Sequence, residues 1–260
     1  MIKSIDEFLF EIETKGFSFF DKVVPIRLLE QMRIDTQKHI DLCQLWQKKN
    51  DLGEGLQGAA HHVIGRGDSF DEFLEQYFLD EYIHAFFDGE YILNTYGAVD
   101  NYSTEKIYHH GMRFHRDIRT YSGSYRILLN MLVMIDDFTV ANGATKLVPG
   151  SHRFKDRPED AVLEMNSIRA TGEAGGILLF DSNLWHSAAP NTTGAARRAL
   201  TPMFSRPFIK QQLDYPAMLG ESFPKTEKMR QILGFNALIP KNHDEWYQPP
   251  ERRKYKPGQG

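Results

Sequence analysis

The chain has little cysteine, little net charge and no long apolar run. Its one cysteine, Cys43, cannot form an intrachain disulfide and suits a reducing cytoplasm. The 31 basic and 35 acidic residues leave a net charge of −4, which offers no general attraction to nucleic acid or anionic membranes. The longest apolar run, Ile127 to Ile135, contains Asn130 and is too short to cross a bilayer. We therefore expect a soluble cytoplasmic protein that binds neither nucleic acid nor membrane.

The length of 260 residues is enough for one large hydrophobic core. Hydrophobic residues make up 41% and charged residues 25%, which is ordinary for a globular protein. The N-terminus shows no basic start followed by an apolar stretch, so we expect no signal peptide. Because all-β folds of this length often remain undivided, we expect a single domain over residues 1–260.

Helical patterns occupy the first third of the chain. Ser4, followed three residues later by Glu7, precedes apolar residues at helical spacing and has the signature of a capping box. Pro25 precedes a second periodic stretch, and an aromatic stripe forms a third. We expect helices at residues 4–15, 26–47 and 69–87.

Residues 52–68 differ from their surroundings because they are rich in glycine and contain His61 and His62. Such a stretch predicts a long loop, which is either a lid over a site or a plain surface loop. We count His62 among the candidate substrate contacts on the lid interpretation.

The pattern changes to short strands separated by turns after Glu90. Helices mostly precede these strands, which favours a closed or sandwiched antiparallel architecture over a βαβ series. Residues 208–260 look irregular, with a short helix near 225–233. The strands are expected at residues 91–99, 113–118, 126–135, 176–180, 184–188 and 198–204.

A short motif, His115-Arg116-Asp117, is the centre of the functional hypothesis. If the segment is a strand, both His115 and Asp117 leave the same face. His186 supplies a second imidazole after an apolar stretch, although a lone histidine there is also typical of a satisfied core residue. Two histidines and one carboxylate with open coordination positions form the facial triad of non-heme iron(II) oxygenases.

Arg197 lies eleven residues after His186, across a turn-rich gap. A 2-oxo acid that chelates the metal leaves a distal carboxylate, which needs a fixed cation in a buried place. Arginine suits this role because its planar fork meets a carboxylate through two parallel hydrogen bonds. Arg198 points the opposite way if the strand is regular, so only one of the two side chains faces inward.

The segment Asn142-Gly143, followed after five residues by Pro149-Gly150-Ser151-His152, completes a recognisable order of motifs. Together with the motifs above, it resembles the phytanoyl-CoA dioxygenase family of iron(II)/2-oxoglutarate oxygenases. The resemblance runs from about Phe8 to Tyr247, and its specific part lies between Arg113 and Arg198.

The resemblance implies a mainly β fold with flanking α-helices, namely a double-stranded β-helix, or jelly-roll, cupin-like barrel. It implies a helical part at 1–88, a jelly-roll core at about 90–207 and a C-terminal extension at 208–260. It matches the iron ligands to His115, Asp117 and His186, and the 2-oxoglutarate clamp to Arg197.

The same resemblance implies hydroxylation of a C–H bond in a small-molecule metabolite. Fe(II) is the cofactor, 2-oxoglutarate and O2 are consumed, and succinate and CO2 are released. The family's halogenating relatives lack the carboxylate, so Asp117 favours oxygen transfer. Desaturation, epimerisation or ring formation at the same site remains open. A jelly-roll binding protein that holds a metal without turnover is the non-enzymatic alternative.

Five further positions have a functional and a structural interpretation. Arg113 and Arg119 share strand parity with the His-x-Asp motif, so each either meets an anionic substrate or is solvated. Asn130 interrupts an apolar strand and needs a partner if buried, which is either the co-substrate or a neighbouring backbone group. His109-His110 have no supporting ligand nearby, which favours loop histidines over a second metal site.

Overall fold

A computed structural model describes residues 3–52, 58–102 and 111–260. Residues 53–57 of the predicted loop and the pair His109-His110 lie outside the described residues. Within the described part, none of the helices has the length and apolar character needed to cross a bilayer.

The N-terminal helices follow the sequence signals closely. Helix α1 spans Ile5–Lys15 and begins at the predicted capping box, in which Ser4 accepts from the Glu7 amide and Glu7 accepts from the Ser4 amide. Helix α2 spans Ile26–Lys49 and begins directly after Pro25. Both predictions are confirmed.

The predicted helix over 69–87 is wrong in its continuity, because the structure has two helices there. Helix α3 spans Ser69–Glu75 and helix α4 spans Asp80–Phe87. Tyr77 and Leu79 adopt left-handed backbone angles, with φ of 51° and 60°, and this conformation ends one helix and redirects the chain before the next. Periodicity alone does not reveal such a break.

Within residues 3–52, 58–102 and 111–260, nine strands form two antiparallel sheets. The larger has the order β1-β7-β4-β9-β3-β2 and the smaller has the order β6-β5-β8. The mainly antiparallel architecture with flanking helices agrees with the sequence prediction. The strands are β1 Phe17–Phe20, β2 Ala59–His61, β3 Ile92–Asp100, β4 Leu128–Met134, β5 Lys146–Leu147, β6 Ile168–Arg169, β7 Ile177–Asp181, β8 His186–Ser187 and β9 Arg198–Ser205.

Four short helices complete the described elements. The predicted helix near 225–233 is confirmed as α7. The set comprises α5 Asp160–Met165, α6 Tyr215–Leu219, α7 Glu227–Ile232 and α8 His243–Trp246.

Strand β4 carries apolar side chains on both faces because each face is covered. Met131 and Val133 pack into a cluster that contains residues of the N-terminal helices. Leu132 and Met134 pack into a second cluster that includes Leu147 of the smaller sheet. The layers are therefore helices, the six-stranded sheet and the three-stranded sheet, and a cavity lies between the two sheets.

Much of the predicted loop at 52–68 is ordered by the sheet and by one carboxylate. Residues 59–61 form β2, which pairs with β3. The buried Asp71 accepts hydrogen bonds from the amides of Gly65 at 2.8 Å and Gly67 at 2.6 Å. The prediction of a loop is therefore wrong at residues 59–61, which form a strand, whereas residues 62–68 contain no helix or strand, as expected.

Asp71→Ala is expected to lower the free energy of unfolding by about 2–3 kcal/mol, because the amides of Gly65 and Gly67 lose a charged acceptor. Asp71→Asn keeps one oxygen acceptor, so we expect a smaller loss. Urea denaturation followed by circular dichroism measures both. An unfolding free energy within about 0.5 kcal/mol of wild type for Asp71→Ala would show that the carboxylate does not hold this segment.

Candidate metal centre

Three side chains with metal-binding atoms converge at one edge of the cavity. One ligand atom from each of His115, Asp117 and His186 lies within 4.8 Å of the others. Asp117 Oδ1 is 3.6 Å from His115 Nε2, and Asp117 Oδ2 is 3.4 Å from His186 Nε2. Two imidazoles and one carboxylate in such an arrangement match the facial set that binds ferrous iron.

The two histidines are held together by main-chain hydrogen bonds. The His115 amide donates to the His186 carbonyl at 2.9 Å, and the His186 amide donates to the His115 carbonyl at 3.0 Å. The imidazole rings consequently lie with their centroids 4.3 Å apart. This reciprocal pair joins segments that are 71 positions apart in the sequence.

The prediction of a regular strand at 113–118 is wrong. His115 makes only an isolated bridge, and Asp117 lies in a bend. The side chains of His115 and Asp117 still meet, but at a bend and not on the shared face of a regular strand. Arg113 and Arg119 were expected on the same strand face as His115 and Asp117, and without a strand this expectation is not met.

Each ring directs its Nε2 atom to the centre. His115 Nδ1 lies 2.8 Å from the Arg113 carbonyl oxygen, and His186 Nδ1 lies 2.9 Å from that of Leu184. A neutral ring in this position donates from Nδ1 and leaves the Nε2 lone pair available to a metal. Burial lowers the pKa of His186, which favours this neutral form, while Asp117 opposes the shift.

Asn130 on β4 contacts the acidic ligand of the set. Its side-chain amide donates to Asp117 Oδ2 at 2.8 Å, and the residue is 5% exposed. Sequence reasoning identified a buried polar residue here but missed this partner, because 13 residues of irregular chain separate the two positions. A hydrogen bond from a neighbouring side chain to a metal-binding carboxylate orients that carboxylate towards the metal.

Arg197 lines the same cavity and is almost completely buried, with 3% exposure. Its Nε has no hydrogen-bond partner among the described residues, and its guanidinium carbon lies 4.3 Å from the centre of the Phe138 ring. Burial lowers its pKa to about 10, so it remains charged at neutral pH. A buried cation with an unused donor fits an incoming carboxylate.

Arg198 points away from the cavity, as the alternation of a strand requires. Its Nη1 forms an ion pair with Asp136 Oδ2 at 3.1 Å, and its side chain is not among those that line the cavity. The expectation that only one of the two arginines faces inward is therefore confirmed.

The cavity has a volume of about 430 Å³ and contains both the three converging ligands and Arg197. The other candidate residues lie elsewhere. Arg113 and Arg119 are exposed and do not line it. His62 does not line the cavity, and its Nδ1 lies 2.8 Å from the hydroxyl of the buried Tyr215, whereas His61 does line it.

Ser151 is a positioning residue that sequence reasoning missed. Its buried hydroxyl accepts a hydrogen bond from the Trp185 amide at 3.0 Å, directly before His186. The Val148 amide donates to the Trp185 carbonyl at 3.0 Å from the other side. The Pro149-Gly150-Ser151-His152 segment was a usable signal, since it is one of the motifs that carry the family resemblance.

The phytanoyl-CoA dioxygenase (PhyH) family model matches residues 29–199. The uncharacterized protein Rv1501 of Mycobacterium tuberculosis is 40% identical over 149 residues, which cover 56% of this chain and 55% of that protein. The dioxygenase olcK of Penicillium canescens is 29% identical over 153 residues, covering 54% of this chain and 49% of that protein. The chain spans about half the length of the curated relatives it matches.

Solved structures show the same fold at low sequence identity. AviO1 from Streptomyces viridochromogenes has a TM-score of 0.61 at 18% identity and covers 80% of this chain and 97% of that one. SnoN, a non-heme alpha ketoglutarate dependent epimerase from nogalamycin biosynthesis, has a TM-score of 0.58 at 14% identity. The match covers 77% of this chain and 81% of SnoN.

Asn130→Ala is expected to weaken divalent-metal binding roughly tenfold to hundredfold, because Asp117 loses the donor that orients it. Anaerobic titration with Mn(II) measures this directly. Asn94→Ala is the matched control, since Asn94 is a buried amide of the same sheet that bonds to Ser205 and the Lys210 carbonyl. Equal weakening in both variants would assign the effect to general damage of the sheet.

Proposed function

The chain belongs to the phytanoyl-CoA dioxygenase family, and from this membership we propose that it is an iron(II)- and 2-oxoglutarate-dependent dioxygenase that hydroxylates a small molecule. One observation carries the proposal. A cluster of two histidines and one aspartate shares a buried cavity with an arginine whose Nε has no partner among the described residues.

In this proposal His115, Asp117 and His186 hold ferrous iron through two Nε2 atoms and one carboxylate oxygen. Bound iron supplies the activation of O2, a reaction that side chains alone do not perform. The overall conversion is balanced, since the substrate C–H group, O2 and 2-oxoglutarate give an alcohol, succinate and CO2. Asn130 keeps the Asp117 carboxylate aimed at the metal position.

Arg197 is proposed to bind the distal carboxylate of 2-oxoglutarate. Its guanidinium is held against Phe138, and Asp100 accepts a hydrogen bond from its backbone amide at 3.2 Å. The positive charge is therefore fixed before the co-substrate arrives, which reduces the entropy lost on binding. Apolar side chains around the site exclude bulk water and strengthen the ion pair.

We further propose that residues 1–260 act as one domain and that the two sheets form the barrel of a double-stranded β-helix. The substrate is a small molecule that occupies the rest of the cavity. Hydroxylation is the proposed outcome, with desaturation, epimerisation or ring formation as alternatives. Product mass separates hydroxylation, which adds one oxygen, from desaturation, which removes two hydrogens.

Substrate-stimulated succinate release tests the enzyme against a metal-holding binding protein. Protein reconstituted anaerobically with Fe(II) and 2-oxoglutarate is exposed to air with pooled metabolites. We expect succinate to rise in at least one pool and an oxygenated product in that pool. Metal and 2-oxoglutarate binding without succinate above the metal-free background would favour the binding protein.

Asp117→Ala is expected to reduce iron-dependent succinate formation to below about 1% of wild type, because the metal loses its anionic ligand. Circular dichroism is expected to stay unchanged, since Asp117 is half-exposed. Asp156→Ala, which removes an exposed carboxylate, is the control. Wild-type succinate formation in Asp117→Ala would exclude this residue as a ligand.

Arg197→Ala is expected to raise the 2-oxoglutarate concentration for half-saturation roughly tenfold to hundredfold, because a charged hydrogen-bonded pair is lost. The apparent Fe(II) affinity should change far less. Arg198→Ala is the matched control, since its charge pairs with Asp136 outside the cavity. An equal increase in both variants would mean that Arg197 is not the specific anchor.

A further inference from the structure

The cavity extends from the candidate metal centre across the face of the larger sheet. Asn130 on β4 pairs with Met203 on β9, and Met203 pairs with Thr95 on β3. The edge strand β2 continues the same wall. It lies three strand spacings from β4, or about 14 Å. The far end of the cavity is therefore well beyond the reach of the metal ligands.

Three cavity-lining residues face each other at that far end. Thr201 on β9 pairs with Gly97 on β3, and Gly97 pairs with His61 on β2. A Cβ atom on Gly97 would lie 2.9 Å from Thr201 Oγ1 and 3.3 Å from the Ala60 carbonyl oxygen. A glycine inside a strand is typical of close approach by a ligand or by another backbone. The space that a Gly97 side chain would occupy thus borders the Thr201 hydroxyl, and His61 lies opposite Gly97 on the neighbouring strand.

Both polar side chains have hydrogen-bonding capacity left. Thr201 donates to the Gly97 carbonyl at 3.1 Å, which leaves its oxygen lone pairs able to accept. Desolvation lowers the pKa of His61, which favours the neutral ring with one donor and one acceptor. No described residue forms a hydrogen bond with that ring.

We propose that His61, Gly97 and Thr201 form a distal subsite that binds an uncharged hydroxyl or carbonyl group of the substrate. This inference rests on the proposed function, because it describes the second half of the same cavity. A hydroxyl donates to the His61 ring or to Thr201, and a carbonyl accepts from the ring. Gly97 lets this group approach the sheet.

The wall between the subsite and the metal centre is mainly apolar. Leu132 on β4 and Met203 on β9 line this part of the cavity, whereas Phe180 on β7 lines it beside His186. Among the described lining residues, Arg197 is the only lysine or arginine, and 2-oxoglutarate neutralises its charge in the proposed function. The substrate is therefore inferred to be a mostly apolar, neutral molecule. The sequence had left open whether Arg113 and Arg119 meet an anionic substrate or solvent, and neither lines the cavity.

Calorimetry with two probes of one shape tests the subsite without turnover. Zn(II) replaces iron, 2-oxoglutarate is added, and 4-phenylbutan-1-ol or 4-phenylbutanoate is titrated. We expect the alcohol to bind more tightly than the anion. His61→Leu should weaken alcohol binding roughly threefold to tenfold, since one hydrogen bond is lost. Gly97→Ala should weaken it at least as much, because the methyl group fills the gap.

His84→Leu is the matched control, because it makes the same replacement at an exposed position of α4. Its alcohol affinity should equal that of wild type. The inference is overturned if the alcohol shows no binding up to its solubility limit, if the anion binds as tightly, or if His61→Leu binds the alcohol like the control.

The proposed function and the subsite fail in different ways. Succinate release with iron and O2 tests the first and does not involve the phenyl probes. Alcohol binding that depends on His61 without any succinate formation would retain the subsite and remove the oxygenase. Succinate formation together with alcohol binding that is unchanged in His61→Leu would retain the oxygenase and exclude the subsite.

Discussion

The reciprocal main-chain hydrogen bonds between His115 and His186 are the contact on which the site depends. Without them the two imidazoles would lie on separate segments with no reason to share a centre. The contact uses backbone atoms, so it leaves both side chains free for chemistry. Ser151 holds the chain directly before His186, and Asn130 holds the carboxylate from the larger sheet. Residues of both sheets therefore hold the ligands of the centre in place.

Two charged groups that line the cavity have defined surroundings. Asp117 lies between two imidazoles, while Arg197 lies against an aromatic ring with its backbone tied to Asp100. Most of the remaining cavity wall is uncharged, so few competing groups are available to a 2-oxo acid or a metal. Because the three converging ligands and Arg197 line the same cavity, one 2-oxo acid is proposed to contact both.

Sequence reasoning predicted individual residues better than it predicted the chain between them. The capping box at Ser4 and the inward orientation of Arg197 rest on local rules, and both agree with the structure. The strand at His115 did not form, because tertiary contacts placed that segment in a bend. The break at Leu79 and the strand Ala59–His61 were also missed, since neither depends on hydrophobic periodicity.

The sequence by itself determined which residue types are available for the chemistry: two histidines, one aspartate and one arginine in a recognisable order. It also determined the mainly antiparallel architecture, because alternation, turns and apolar runs are local properties. Only the tertiary structure decided that Asn130 donates a hydrogen bond to Asp117. It also decided that His61 rather than His62 lines the cavity, and that Arg113 and Arg119 lie outside it. The physical reason is that these assignments depend on contacts between segments far apart in the chain, and such contacts are set by packing rather than by spacing.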